Sequence, residues 1–304
     1  MIINFKKVFL FFAVILVVFI SVRSLIVSSE DYSENYRSVQ TNSNLSYSTD
    51  VSNSSIDFRL KNNLPVPAIN DQAALVVDLK TRVRYFSLNV DKIWPMASLT
   101  KLMTAVIALE NLNQNQLITI SKDDLMPYDG FIKEGDSYSV LDLIKLMMMI
   151  SSNSSAQSLA NFYGYNNFIS KMNLKAKEIG MLETQYVEPV GLSQENVSSA
   201  SDIEKLVSYI YKNYPIIFEI SKNAPQIVYN WSDNKSTAVG SIDQFANQSD
   251  FLGGKSGYTD QAKENLVSIF SYDNHPILVV VLGSDNNFID TEKLFTWFKE
   301  SYSL

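Results

Sequence analysis

The chain contains no cysteine and a single histidine, His275. The first absence excludes structural disulfides, thiolate-ligated zinc, iron–sulfur clusters and a cysteine nucleophile. The second excludes a multi-histidine metal site. A hydrolase built from this sequence would need a base other than histidine. No calcium-loop spacing occurs, and no cofactor is expected. His275 itself stands in Asp273-Asn274-His275-Pro276 between two apolar runs, which reads as a plain hairpin-turn residue. Glycine and proline are few, 10 and 8 among 304 residues, so collagen-like and wholly disordered chains are excluded. Basic residues are outnumbered, 25 Lys and Arg against 32 Asp and Glu, for a net charge of -7. No Lys/Arg cluster forms a basic face, and nucleic acid is not an expected partner.

What is present begins with an apolar N-terminus. Val8 to Val22 is almost entirely apolar, preceded by Lys6 and Lys7 and followed by Arg23, Leu25, Ile26 and Val27. Lys6 and Lys7 would stay on the cytoplasmic side, leaving the bulk of the chain outside. Residues 1–28 are therefore expected to be a membrane anchor or a signal peptide. The apolar stretch Val8 to Val27 approaches the ~20 residues needed to span a bilayer, and Val27-Ser28-Ser29 is a poor cleavage site, which favours the anchor. Residues 29–65 turn to Ser, Asn, Asp, Glu and Tyr with little periodicity and read as a flexible polar linker. One folded unit, residues 66–304, is expected to follow.

Within that unit, Ala73 to Asp78 and Arg82 to Leu88 read as a hairpin. Apolar residues at helical spacing mark Ser98 to Leu112, and Tyr138 to Met149 reads as a buried helix. Ser155 to Tyr163, Asn166 to Ile179 and Asp202 to Tyr211 read as further helices. Three consecutive strands are then predicted at Leu252 to Thr259, Leu266 to Tyr272 and Ile277 to Gly283. A closing helix is predicted at Asp290 to Ser301, with Asp290 as its cap. Strands open and close the unit while helices fill the middle. That order predicts an α+β fold: an antiparallel sheet of about five strands drawn from both chain ends, flanked by helices, with an inserted all-helical subdomain.

Without Cys and with no usable His, a serine activated by lysine is the remaining route to a strong nucleophile. Ser98-Leu99-Thr100-Lys101 places hydroxyl and amine at i and i+3, on one face of a helix. Ser98 falls in the first turn, where free backbone N–H groups favour a developing oxyanion. The same spacing recurs at Ser232 to Lys235, in a polar stretch with no apolar helix behind it, and is read there as chance. Ser151-Ser152-Asn153 follows the buried helix directly; the alternative is a helix-to-helix turn with capping serines. Lys255-Ser256-Gly257 is the chain's only Lys-[Ser/Thr]-Gly. On a strand, Lys255 and Gly257 share one face and Ser256 takes the other. A glycine-rich edge strand could admit an extended peptide as a further strand. The rival phosphate-loop reading of Gly-Gly-Lys-Ser lacks the upstream glycine and the following helix.

In order and context, these elements resemble the penicillin-binding, active-site serine enzymes, specifically the low-molecular-weight D-alanyl-D-alanine carboxypeptidases with a β-lactamase-like fold. Trp94-Pro-Met-Ala-Ser-Leu-Thr-Lys-Leu-Met-Thr104, Phe168 to Asn173 running on through Glu178-Ile-Gly-Met181, Pro189-Val-Gly-Leu192 and Lys255-Ser-Gly-Tyr-Thr-Asp260 carry the resemblance. It implies that Ser98 attacks the carbonyl between two D-alanines, that Lys101 takes its proton, that Ser151 relays a proton to the departing amine and that Asn153 binds the substrate amide. It implies that Lys255, Ser256 and Thr259 hold the terminal carboxylate beside Gly257, and that the backbone N–H groups of Ser98 and Tyr258 form the oxyanion hole. The implied partners are peptidoglycan stem peptides, β-lactam antibiotics as inhibitors, and the cytoplasmic membrane through the N-terminus. The implied location is its outer face.

The sequence departs from the family pattern in places. Ser152 stands where glycine is usual and would narrow the site, and Ser256 replaces a threonine while keeping the hydroxyl. The chain runs only about 20 residues past the last predicted strand, leaving the N-terminal segment as the expected tether. Endopeptidase action on cross-links is not separated from carboxypeptidase action by these motifs. A β-lactamase would need a Glu-x-x-Leu-Asn loop, and Glu188-Pro-Val-Gly-Leu192 is not one. An inactive peptidoglycan-binding scaffold is disfavoured by the presence of every expected catalytic side chain.

Overall fold

The computed structural model describes residues 59–127 and 129–304. The expected anchor and residues 29–58 of the expected linker lie outside the described residues. In chain order the elements are β1 (Arg59–Leu60), β2 (Ala73–Asp78), β3 (Arg84–Leu88), β4 (Trp94–Pro95), α1 (Thr100–Asn111), β5 (Leu117–Thr119), β6 (Ser137–Ser139), α2 (Val140–Met149), α3 (Asn153–Tyr163), α4 (Tyr165–Glu178), β7 (Val197–Ser198), α5 (Ala200–Asn213), α6 (Ile216–Lys222), β8 (Gln226–Asn230), β9 (Lys235–Val239), β10 (Phe251–Thr259), β11 (Lys263–Tyr272), β12 (His275–Ser284), α7 (Asn287–Ser301) and β13 (Tyr302–Ser303).

Strands β10-β11-β12-β2-β3 form one five-stranded sheet, antiparallel throughout. The chain thus returns from residue 251 to lay three strands against the hairpin it made first. Strand β2 shows why the sheet is central. Ala73, Leu75 and Val77 enter one core cluster, and the alternate Ala74 and Val76 enter the other. A period of two with both faces apolar requires cover on both sides. Helix α7 covers one face through Leu294, Phe295 and Phe298, with Phe295 stacked on Phe270 of β11 at 4.3 Å. The helical middle of the chain covers the other. The α+β fold is as expected.

Several local features differ from the sequence reading. The cap of α7 is Asn286, whose side chain accepts the Ile289 N–H; Asp290 lies inside the first turn, bonded to Ser284 Oγ and Lys293. Asn and Asp cap almost equally well, so composition does not choose between them. The β11–β12 turn is made by Asp273 and Asn274, both at positive φ. His275 instead begins β12, with Nδ1 2.6 Å from the buried carboxylate of Asp78. The sequence reading assigns nothing between Pro215 and Leu252, where α6 and the β8–β9 hairpin form. Seven residues of helix are too short for its periodicity to register, and β9 is almost wholly exposed, so no apolar alternation marks the hairpin. Residues just before position 66 also join the folded unit: β1 pairs with β13, and Lys61 N–H donates to Ser301. Among the described residues, no helix is long and apolar enough to cross a membrane.

Candidate active site

Ser98 lies in a short 3-10 turn, Ala97–Leu99, that leads into α1. The preceding Ala97 has φ +48, a left-handed conformation unusual for a residue with a Cβ. Two glycines clamp this turn. A Cβ on Gly191 would sit 2.0 Å from the Ala97 carbonyl oxygen, and one on Gly257 would sit 2.7 Å from the Ser98 nitrogen. Both positions therefore admit only glycine as built, and Gly257 allows β10 to lie directly against the Ser98 backbone. Gly257→Ala is expected to push strand and turn apart. The rate of covalent reaction at Ser98, measured with an acylating agent, should fall by about a hundredfold, the scale of a small misplacement of reacting groups, while circular dichroism stays native. Unchanged acylation kinetics would show that the close approach is dispensable.

Lys101 is one turn further along and fully buried. Its Nζ lies 2.9 Å from Ser98 Oγ, 2.8 Å from Asn153 Oδ1 and 2.6 Å from the Val190 carbonyl oxygen. Burial, then the nearby Lys255 charge, hold its pKa well below the ordinary lysine value. As an ammonium, Lys101 donates to all three of these oxygens. In the neutral form that its lowered pKa favours, Asn153 Oδ1 and the Val190 carbonyl, which can only accept, would take its two hydrogens, and its lone pair would face the Ser98 hydroxyl. The Asn153 amide is oriented by its Nδ2, which donates to the Pro127 carbonyl.

The second segment comes from the α2–α3 junction. Helix α2 is capped by Ser139 and ends at Ile150; Ser151 then turns the chain at φ +57. Ser152 caps α3 by accepting the Ser155 N–H. Ser151 and Asn153 therefore share a rigid corner between two helices and both line the cleft. Ser152 does not narrow it, contrary to expectation. Its side chain is buried on the far side, donating to Asp129 Oδ2 at 2.5 Å. The alternation of the backbone at this corner turns position 152 away from the cleft.

The third segment is the edge strand β10. Lys255 is buried, and its Nζ donates to Ser151 Oγ (3.1 Å) and to the Ser256 carbonyl (2.6 Å). Burial brings its pKa down to about 8, against a pull upward from Asp243. Ser256, Gly257 and Tyr258 line the cleft. Thr259 is not among the lining residues; its Oγ1 accepts the Ala262 N–H and closes the β10–β11 turn. The cleft holds about 480 Å³ and adds Leu192, Ile242, Glu264 and Phe288 to its walls. Among the described residues, no group of three or more acidic or imidazole side chains could hold a metal ion.

Two supports of the site were not singled out from sequence. Glu188 accepts the N–H groups of Val190 (2.6 Å) and Gly191 (2.7 Å) and the side-chain amide of Asn196 (2.9 Å). Asn196 reaches on to Thr100 Oγ1. This folds residues 188–191 so that the Val190 carbonyl meets Lys101 and Gly191 meets Ala97. The only signal in the sequence was the tight Glu-Pro-Val-Gly turn. The other is Asp243, buried behind β10 with its carboxyl pushed up to about 6 by burial. Nothing in its surrounding sequence marks it.

A family model described as D-alanyl-D-alanine carboxypeptidase matches residues 60–286. The chain is 32% identical over 262 residues to a D-alanyl-D-alanine endopeptidase of Escherichia coli strain K12, covering 77% of this chain and 78% of that one. Among solved structures, a D-alanyl-D-alanine carboxypeptidase from Mycobacterium tuberculosis H37Rv superposes with a TM-score of 0.72 at 23% identity, covering 79% of this chain and 95% of that one. Penicillin-binding protein D2 of Listeria monocytogenes, in its ampicillin-bound form, superposes with a TM-score of 0.68 at 26% identity, covering 76% and 98%.

Proposed function

The chain belongs to the D-alanyl-D-alanine carboxypeptidase family, and on that premise we propose that it removes the terminal D-alanine from peptidoglycan stem pentapeptides through a penicillin-sensitive acyl-enzyme on Ser98. The observation that carries the residue assignment is the wholly buried Lys101 amine, whose Nζ lies 2.9 Å from Ser98 Oγ and otherwise meets Asn153 Oδ1 and the Val190 carbonyl. Ser98 Oγ attacks the carbonyl between the two D-alanines, and its proton passes to Lys101. The backbone N–H groups of Ser98 and Tyr258 stabilise the oxyanion. The C–N bond breaks as the leaving amine takes a proton from Ser151. Lys255 donates to Ser151 Oγ, so the Ser151 hydrogen is free to be handed on. Lys101 replaces that hydrogen, and water then hydrolyses the ester.

Asn153 binds the substrate amide. Ser256 meets the terminal carboxylate at the cleft wall, and the Lys255 ammonium supplies charge from beneath, while Thr259 closes the β10–β11 turn behind them. A β-lactam would acylate Ser98 in the same way. Glu188, with both carboxylate oxygens engaged by N–H groups, is not free to activate water as a β-lactamase glutamate would.

This reading predicts a bell-shaped pH profile. Lys101 must be neutral, so activity rises as pH climbs through its depressed pKa. Lys255 must be charged to hold the carboxylate, so kcat/KM falls as pH rises through about 8. The falling limb should vanish for a substrate whose C-terminus is amidated; its persistence would detach Lys255 from carboxylate binding.

A second reading is endopeptidase cleavage of cross-links. The relative named an endopeptidase is 32% identical, above the 23% of the carboxypeptidase structure. Incubating the protein with a pentapeptide and with a cross-linked dimer, then weighing the products, separates the two. Loss of one alanine supports carboxypeptidase action. Dimer splitting with the pentapeptide intact would replace it.

Acting on peptidoglycan puts the catalytic unit outside the cytoplasm. Residues 66–304 form that unit in this reading, tethered to the outer face of the membrane by residues 1–28 through the polar stretch 29–65 and extended by the β1–β13 pairing.

A further inference from the structure

A second concavity of about 500 Å³ shares no lining residue with the catalytic cleft. Its walls combine Asn115 and Leu117 at β5, Asp142 and Lys145 on α2, Tyr229 in β8 and Trp231 at the β8–β9 turn. Trp231 is half exposed, and Leu117 is 39% exposed. The two aromatic rings meet edge to face at 4.8 Å and 75°, so the indole plane is held in one orientation. The Trp231 backbone N–H donates to the Ser137 carbonyl and pins the turn to β6. Lys145 Nζ bridges Asp142 Oδ1 and the Ile227 carbonyl, both at 2.8 Å, and is held beside the rings. The cavity therefore sets a fixed apolar plane among a carboxylate, an ammonium and a side-chain amide.

That mixture selects among ligands. Asp142 and Lys145 are already paired and mostly buried, so the polar rim left open includes Asn115 and Ser139 beside that pair, and a wholly apolar helix seated here would leave it without partners. A polyanion would meet an acidic chain of net charge -7. A pyranose ring has apolar C–H faces and polar edges of hydroxyl and acetamido groups. It satisfies the indole plane and the surrounding polar atoms together.

The position matters as much as the chemistry. Lys145 precedes Ser151 by six residues of α2 and its end, roughly 9 Å of helical rise. The hairpin bearing Trp231 continues to Ile242, which lines the catalytic cleft and donates its N–H to Met149 at the end of α2. One rigid unit thus carries both concavities.

The geometry points to a glycan subsite: this cavity binds N-acetylated sugar rings of the strand that bears the stem peptides, holding the polymer while a peptide reaches Ser98. The inference rests on peptidoglycan being the substrate, and its test is independent of catalysis. Calorimetric titration of the full protein with a peptide-free β-1,4-linked N-acetylglucosamine hexamer should give saturable binding. Trp231→Ala should weaken it at least about tenfold, the usual consequence of truncating a tryptophan anchor, and Trp231→Phe should restore most of it. Labelling of Ser98 by a fluorescent penicillin should be the same in all three proteins. For Trp231→Ala, KM should rise on insoluble peptidoglycan and stay constant on soluble pentapeptide. Absence of hexamer binding to the wild-type protein, or equal affinity in Trp231→Ala, overturns the subsite. Hexamer binding by a protein that no penicillin labels would uphold it and refute the catalytic assignment instead.

Discussion

Replacing Ser98 by alanine is expected to abolish covalent reaction with benzylpenicillin and to lower D-Ala-D-Ala hydrolysis at least about ten-thousandfold, the scale seen when a serine nucleophile is removed. Whole-protein mass is the measurement. The wild-type protein should gain one intact penicillin, because ring opening leaves the former leaving group attached, and the Ser98→Ala protein should gain nothing. An adduct on the variant would place the nucleophile elsewhere. The fold should survive the change. Ser98 is only partly buried, its Oγ bonds to Lys101, and the turn is held by backbone contacts from Gly191 and Gly257 that alanine leaves intact.

Replacing Lys101 by methionine should have the next largest effect. Methionine keeps most of the length and none of the basicity. Acylation per folded molecule should fall at least about a hundredfold, the usual contribution of a general base, and the rising limb of the pH profile should disappear with it. The stability change has a separate origin. The Val190 carbonyl and Asn153 Oδ1 would each lose a buried partner, at a cost of about 1–3 kcal/mol apiece, so the melting temperature should drop by several degrees. Measuring rate and melting temperature together separates the roles. A stable variant with near wild-type acylation would point to a different base. A destabilised one that acylates normally would leave Lys101 a purely structural residue.

Much of this site was legible because its chemistry is local in sequence. Ser98 and Lys101 are three residues apart on a helix, so one repeat length brings hydroxyl and amine together. Alternation on a strand separates Lys255 and Gly257 from Ser256, and their burial follows it. The sheet could be read because β10, β11 and β12 are long, apolar and joined by recognisable turns. Ser152 shows the limit. Its residue type suggested an obstruction, and only the φ of Ser151 and the capping of α3 reveal that the side chain faces Asp129. Position 290 failed similarly: two residues of equal capping ability stood four apart, and the backbone N–H of Asn286 bonds to Ser284 Oγ and that of Asn287 to Glu264, which fixes where the helix starts.

By itself the sequence supplied the candidate reagents: a chain without thiol or usable imidazole offers a serine and an amine at a spacing that a helix converts into contact. It also determined the layering, because strands apolar on both faces must be covered on both. Only the tertiary structure decided the state of that amine. Burial, then the charge of Lys255, 154 positions away, lower the Lys101 pKa, while Asn153 and Val190, 52 and 89 positions away, supply its acceptors. Periodicity carries no information about pairs so distant. A pKa is set by the dielectric and charges around a group, and those exist only once the distant segments have closed over it.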